Sequence, residues 1–132
     1  RARRFLKKSN LDYAHGTGHG VGFFLNVHEG PQSITKINKV KIKPGMILSN
    51  EPGYYKKNHF GIRIENLVYV DKKNGKLFFT NLTMAPIEKD LINFDLLTVS
   101  EKNYLFKYHL DVYSKISKFL NQNEKKWLAG FI

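Results

Sequence analysis

An α+β architecture, a curved antiparallel sheet covered by helices, is predicted for this chain of 132 residues by three observations. Apolar and polar side chains alternate over residues 61–70, the period of a half-buried strand. Asn74-Gly75, a dipeptide favoured in tight hairpins, follows, and the run 77–82 can return antiparallel. From about Ser100 the spacing becomes helical, with Leu105, Val112, Ile116, Phe119 and Leu120 on one stripe and Ser100 available as N-cap.

Taken in order, residues 1–8 (Arg-Ala-Arg-Arg-Phe-Leu-Lys-Lys) read as the last turns of an amphipathic helix whose earlier part is absent, stopped at Ser9-Asn10. Glycines at 16, 18, 20 and 22 then allow close approach to another backbone or a ligand, which suits the floor of a site. Lys43-Pro44-Gly45 signals a turn, and 46–50 form a short apolar strand ending at Glu51, where Pro52-Gly53 terminates it. In 61–70, Ile62 and Ile64 share one face and Arg63 and Glu65 the other, so Glu65 projects beside Arg63. Trp127, Leu128, Phe131 and Ile132 form an apolar tail that docks on the same body or on a second subunit. With no internal repeat or low-complexity linker, residues 1–132 are read as one domain.

Composition narrows the class. At 42% hydrophobic and 14% aromatic the chain can bury a core, unlike a disordered segment. No run approaches the ~20 apolar residues of a bilayer crossing, and no membrane partner is expected. The chain has no cysteine, which excludes disulfides and thiolate metal sites. The basic start lacks the apolar core of a secretory signal, so a cytoplasmic location is expected. A formal charge of +11 raises the question of nucleic acid, but the lysines and arginines are dispersed and no nucleic-acid-binding motif accompanies them. They are read as solvated surface, with no nucleic-acid partner.

The chemistry concentrates between residues 13 and 70. His15, His19 and His28 lie in Tyr-Ala-His-Gly-Thr-Gly-His-Gly-Val-Gly-Phe-Phe-Leu-Asn-Val-His-Glu-Gly-Pro, Glu51 in Ser-Asn-Glu-Pro-Gly-Tyr-Tyr, and Glu65 in Gly-Ile-Arg-Ile-Glu-Asn. Imidazole nitrogens and carboxylates hold divalent first-row metals, and bridging carboxylates can hold two. Paired ions acidify a shared water and polarise a carbonyl, so peptide hydrolysis is the natural use. Singly, His15 or His28 would read as a hydrogen-bonded structural residue, and Glu65 as a partner of Arg63. Glu51, between an apolar strand and Pro-Gly, calls for a metal or cationic partner. Asp12 and Asp71 read as turn or cap residues.

His-Gly-Thr-Gly-His-Gly-Val-Gly, Asn-Val-His-Glu-Gly-Pro, Glu-Pro-Gly-Tyr-Tyr and Gly-Ile-Arg-Ile-Glu-Asn, in this order, resemble the C-terminal half of the catalytic domain of an aminopeptidase P (Xaa-Pro aminopeptidase), a peptidase of family M24. The resemblance spans roughly residues 1–128. It implies the pita-bread fold, in part, and two divalent metal ions, usually manganese. By resemblance the metal ligands fall on His19, Glu51 and Glu65. Its catalytic residues fall on His15, which shapes the proline pocket, on His28, which steadies the tetrahedral intermediate or leaving group, on Glu51, which receives the water's proton, and on Arg63, which orients a ligating carboxylate.

The implied reaction releases the residue ahead of a proline at position two of a peptide, through a dinuclear metal-activated hydroxide. Tyr54 would join His15 on the proline side. Two metal-binding aspartates and a further histidine of the family have no counterpart here, so the expected partner is an upstream half of the same domain, and the chain alone is expected to be inactive. A homodimer through the C-terminal region is compatible with the apolar tail. Prolidase or methionine aminopeptidase would reuse the same ligands with different pockets, and a pita-bread scaffold without catalysis remains a rival.

Overall fold

The computed structural model describes residues 2–24 and 26–132. The chain divides into two compact units, Arg1–Thr83 and Met84–Ile132.

The first unit opens with a short helix, α1 (Arg4–Lys8), and continues as strands β1 (Gly18–His19), β2 (Ser33–Ile34), β3 (Ile47–Asn50), β4 (Gly53–Lys56), β5 (Phe60–Arg63), β6 (Asn66–Lys73) and β7 (Lys76–Asn81). Every pairing is antiparallel: β1 with β2, β3 with β6, β4 with β5 and β6 with β7.

The alternating stretch 61–70 is not one strand. It is divided between β5 and β6, which pair with β4 and β3 respectively. The cause is Pro52, which has no N–H to give to a ladder. Asn50 pairs with Asn66 and Gly53 with Arg63, so the register crosses the interruption without a slip. Pro52 falls opposite Ile64, whose N–H still reaches the Pro52 carbonyl at 3.2 Å. Glu51 falls opposite Glu65.

This continuity separates two faces. Leu48, Val68 and Val70 point one way into a core extended by Ile34, Ile42 and Met46. By the strand period, Ser49, Glu51 and Tyr55, with Arg63 and Glu65 across from them, share the opposite face. The β6–β7 hairpin turns at Asn74 (φ 50) and Gly75 (φ 76). Two successive left-handed residues are what a two-residue hairpin of the favoured twist requires.

The glycine-rich segment serves close approach. At Gly18 a Cβ would stand 1.9 Å from the Ser49 carbonyl oxygen, so only glycine lets β1 lie this near β3. Glu51 N–H donates to the Thr17 carbonyl at 2.8 Å, and Gly20 bridges to Leu48.

The second unit holds α2 (Val99–Ile116) and α3 (Gln122–Ala129). The α2 cap is Thr98 rather than Ser100: its side chain accepts from Glu101 N–H while the Glu101 carboxylate accepts from Thr98 N–H, a reciprocal capping box. Tyr108, Val112 and Leu128 form the core, with Ile87, Ile116 and Leu120 against it. Leu128 of the apolar tail therefore docks on α2 of its own unit. Phe119, expected on the buried stripe, is 75% exposed, because α2 ends at Ile116 and a 3-10 turn, Ser117–Phe119, shifts the helical phase. Among the described residues, no helix is long and apolar enough to cross a membrane.

Candidate metal centre

The hairpin face and the glycine-rich strand bring three candidate ligands to one place. His19 ends β1, Glu51 follows β3 and Glu65 precedes β6. One ligand atom from each lies within 4.8 Å of the others. A single first-row ion with bonds of about 2.1 Å spans at most about 4.2 Å between opposite donors. The three donors are thus close enough to share a divalent ion after slight contraction.

The histidine is oriented for this purpose. His19 Nδ1 lies 2.8 Å from the Gly20 carbonyl, which can only accept, so Nδ1 carries the proton and Nε2 presents a lone pair. Nε2 faces Glu51 Oε1 at 3.2 Å. A lone pair opposed to a carboxylate oxygen is resolved by a cation between them or by a proton on the ring. The chemistry of the donors thus fits a divalent metal.

Glu51 is 7% exposed and both its oxygens are engaged. Ser49 Oγ donates to Oε1 at 2.9 Å and Arg63 Nη1 donates to Oε2 at 3.0 Å. Ser49 Oγ also accepts from His19 N–H at 2.9 Å, so one fully buried hydroxyl ties two ligands together. Glu65 is exposed at the strand interruption.

His15 reaches the centre through Tyr55 and Arg63. His15 Nδ1 donates to the Gly16 carbonyl at 2.7 Å, leaving Nε2 to accept from the Tyr55 hydroxyl at 2.8 Å. The same hydroxyl accepts from Arg63 Nε at 2.8 Å. One hydroxyl thus joins Arg63 to His15. The hydrogen bond to Tyr55 is the main cause that raises the Arg63 pKa above its ordinary value, with Glu51 and Glu65 adding to it. Arg63 stays charged at any working pH. His28 lies on the other side, its ring stacked on that of His19 with centroids 3.9 Å apart.

His19, Glu51 and Glu65 thus form one cluster, with His28 against His19, Arg63 bonded to Glu51 and His15 joined to Arg63 through Tyr55. Two more belong with them. Ser49 left no signal beyond its parity with Glu51. Tyr55 had one, because it pairs with Gly61, and its ring occupies the space where a Cβ at 61 would stand, 2.7 Å from a ring carbon. Tyr54 faces away and packs edge-on against Phe60, with centroids 5.9 Å apart. Tyr55, not Tyr54, accompanies His15. Asp12 and Asp71 each accept from the next residue's N–H, but Asp71 does so within β6, where it pairs with Phe78, and not in the turn expected for it.

Residues 1–72 match metallopeptidase family M24, and residues 75–130 match the C-terminal region of peptidase M24. The chain belongs to the M24 metallopeptidases. It is 49% identical over 96% of its length to a probable Xaa-Pro aminopeptidase P of Coprinopsis cinerea, covering 22% of that protein. It is 47% identical over 99% of its length to Xaa-Pro aminopeptidase 1 of Dictyostelium discoideum, covering 23% of it. An X-prolyl aminopeptidase of Caenorhabditis elegans, described as a cytosolic enzyme with a di-nuclear active site, superposes with a TM-score of 0.90 at 39% identity, over 97% of this chain and 23% of that one. The α+β arrangement is that of the pita-bread M24 fold. This M24 chain spans between a fifth and a quarter of the length of these relatives.

Proposed function

We propose that the protein carrying this chain is a metal-dependent aminopeptidase that removes the residue preceding a proline at position two of a peptide. The observation that carries the reading is the register: Glu51 and Glu65 stand opposite one another on an antiparallel hairpin, with His19 beside them. Like charges directly opposite destabilise a strand pair, and a divalent cation makes such a pair favourable.

Two divalent cations held by His19, Glu51 and Glu65 would supply an acidified water and a polarised carbonyl, and manganese suits this oxygen-rich donor set. Two carboxylates balance only part of the charge of two such ions, so the remaining ligands are assigned to the rest of the protein. The isolated chain is then inactive. Glu51 receives a proton from the attacking water, because its two oxygens can ligate and accept in turn. Arg63 and Ser49 hold that carboxylate in place. His28, stacked on His19, donates to the oxygen that gains charge as the carbonyl becomes tetrahedral. His15, fixed by Tyr55, borders the pocket for proline. We assign the protein to the cytoplasm and residues 1–132 to the C-terminal part of one catalytic domain, with a homodimer as its assembly.

The test is hydrolysis of Xaa-Pro peptides by the full-length protein with Mn2+, beside Xaa-Ala peptides, Xaa-Pro dipeptides and Met-initiated peptides. Glu51→Gln and His28→Ala should each lower kcat by about 100-fold or more. Equal cleavage of Xaa-Ala peptides, restriction to dipeptides, or full turnover in Glu51→Gln overturns the reading.

A further inference from the structure

We infer that Arg3 is a positioning residue of this centre, fixing the main chain that carries His15; the inference rests on the function proposed above. Arg3 lies outside the donor set and touches none of the metal ligands. Its guanidinium is aimed at the loop between α1 and β1. Nη1 donates to Asp12 Oδ1 and to the Tyr13 carbonyl, and Nη2 donates to the His15 carbonyl. The same group lies over the Tyr13 ring, 3.7 Å from its centroid.

Each contact restrains a part of the route into the centre. Tyr13 is buried, and its hydroxyl is 2.7 Å from Thr17 Oγ1, while the Thr17 carbonyl accepts from Glu51 N–H at 2.8 Å. The Tyr13 and His15 rings lie 4.8 Å apart. A planar fork that grips the carbonyls of residues 13 and 15 together sets the backbone between them. The His15 ring can then donate to the Gly16 carbonyl while offering Nε2 to Tyr55. The hydrogen bond from Arg3 is the largest of the causes that hold the Asp12 carboxyl below its ordinary pKa, consistent with a charge-assisted contact. Lysine cannot reproduce the arrangement, since a point charge on a flexible stem does not bind several acceptors in one plane or stack on the ring in the same way.

Two effects of losing Arg3 are distinguishable. If Arg3 only fastens α1 to the body, its removal harms stability and costs the same activity whatever occupies position 15. If it positions His15, the loss depends on His15 being present.

The experiment compares Arg3→Lys and Arg3→Ala, each alone and combined with His15→Ala, in the full-length protein with Mn2+. Readouts are kcat and KM on an Xaa-Pro peptide, bound manganese, and hydrogen exchange of the amides of Thr17 and Glu51. The expected result is a fall in kcat/KM of about tenfold for Arg3→Lys, no further fall when it is added to His15→Ala, unchanged manganese content, and faster exchange at both amides. An unchanged kcat/KM in Arg3→Lys, or an equal loss in both backgrounds, overturns the inference. Should Arg3→Ala fail to fold, Arg3→Lys alone decides. A wild-type protein that does not cleave Xaa-Pro peptides overturns the proposed function instead; exchange at Thr17 and Glu51 then decides for Arg3, and identical rates in wild type and Arg3→Lys overturn the positioning role.

Discussion

Replacing Glu65 by glutamine separates a metal ligand from a merely structural carboxylate. Glu65 stands opposite Glu51, where paired side chains lie about 4.5–5.5 Å apart at Cβ and like charges cost a fraction of a kcal/mol to about 1 kcal/mol. Arg63, beside Glu65 on the same face, offsets part of that repulsion. Without metal, Glu65→Gln is therefore expected to stay within about 1 kcal/mol of the wild type. With Mn2+ at about a hundredfold over its dissociation constant, the wild type gains about 2.7 kcal/mol. A carboxamide keeps the shape of the side chain but brings no negative charge. If it weakens metal binding a hundredfold, the same Mn2+ adds only about 0.4 kcal/mol. Thermal unfolding of the full-length protein after chelation, with and without added Mn2+, should show a large upward shift in the wild type and almost none in the variant. Equal shifts in the two, or a metal-free variant that melts far below the wild type, would refute the ligand assignment.

Gly18→Ala should lower both bound metal and kcat/KM by about 100-fold, because its Cβ, 1.9 Å from the Ser49 carbonyl oxygen, forces β1 from β3 by about 1 Å; wild-type activity would show that the approach is not needed. Tyr55→Phe deletes the hydroxyl between His15 and Arg63 and should reduce kcat/KM on Xaa-Pro peptides about tenfold while manganese content is kept; lost metal would assign Tyr55 a different role. Thr98→Ala removes the α2 capping box and should cost about 1 kcal/mol of stability, read from urea unfolding followed by helix circular dichroism, with peptide hydrolysis unaffected. The Asp12 carboxyl has its pKa lowered below 3.8 by Arg3, so its contribution to stability is present above that pH and fades as the pH falls through the depressed value. Asp12→Asn should therefore flatten the acid limb of the melting-temperature profile, and an unaltered limb would exclude the pair as a contributor.

Much of the site was legible because the strand period is short and rigid. Parity alone puts Arg63 and Glu65 on one face with Ile62 and Ile64 on the other, and the register holds through the interruption, but residues 60–65 are all exposed, so the half-buried pattern is met only in β6. What parity does not carry is that Pro52, which ends β3, divides the partner strand as well. The cap of α2 was misplaced by two residues because Thr98 and Ser100 are both good N-caps, and only the Glu101 side chain decides between them. Phe119 fits the helical stripe in sequence, but the stripe has meaning only while the helix lasts. Arg3 could not be found from spacing, because two of its three acceptors are backbone carbonyls, which every residue possesses. Ser49 was hidden for a related reason: a buried hydroxyl becomes conspicuous only when its two partners are known.

The pairing of Glu51 with Glu65 also explains why the proline stands where it does. A ladder continued through position 52 would satisfy the backbone of both strands and leave two opposed carboxylates as the sole defect of an otherwise regular hairpin. Proline removes one donor at the adjoining pair and divides the ladder there, while the register keeps the carboxylates facing. The Ser49 hydroxyl and the Arg63 guanidinium both bind Glu51, which holds that carboxylate in place, while Glu65 is exposed beside it. A centre built this way has a fixed half, His19 with Glu51, and an adjustable half, Glu65.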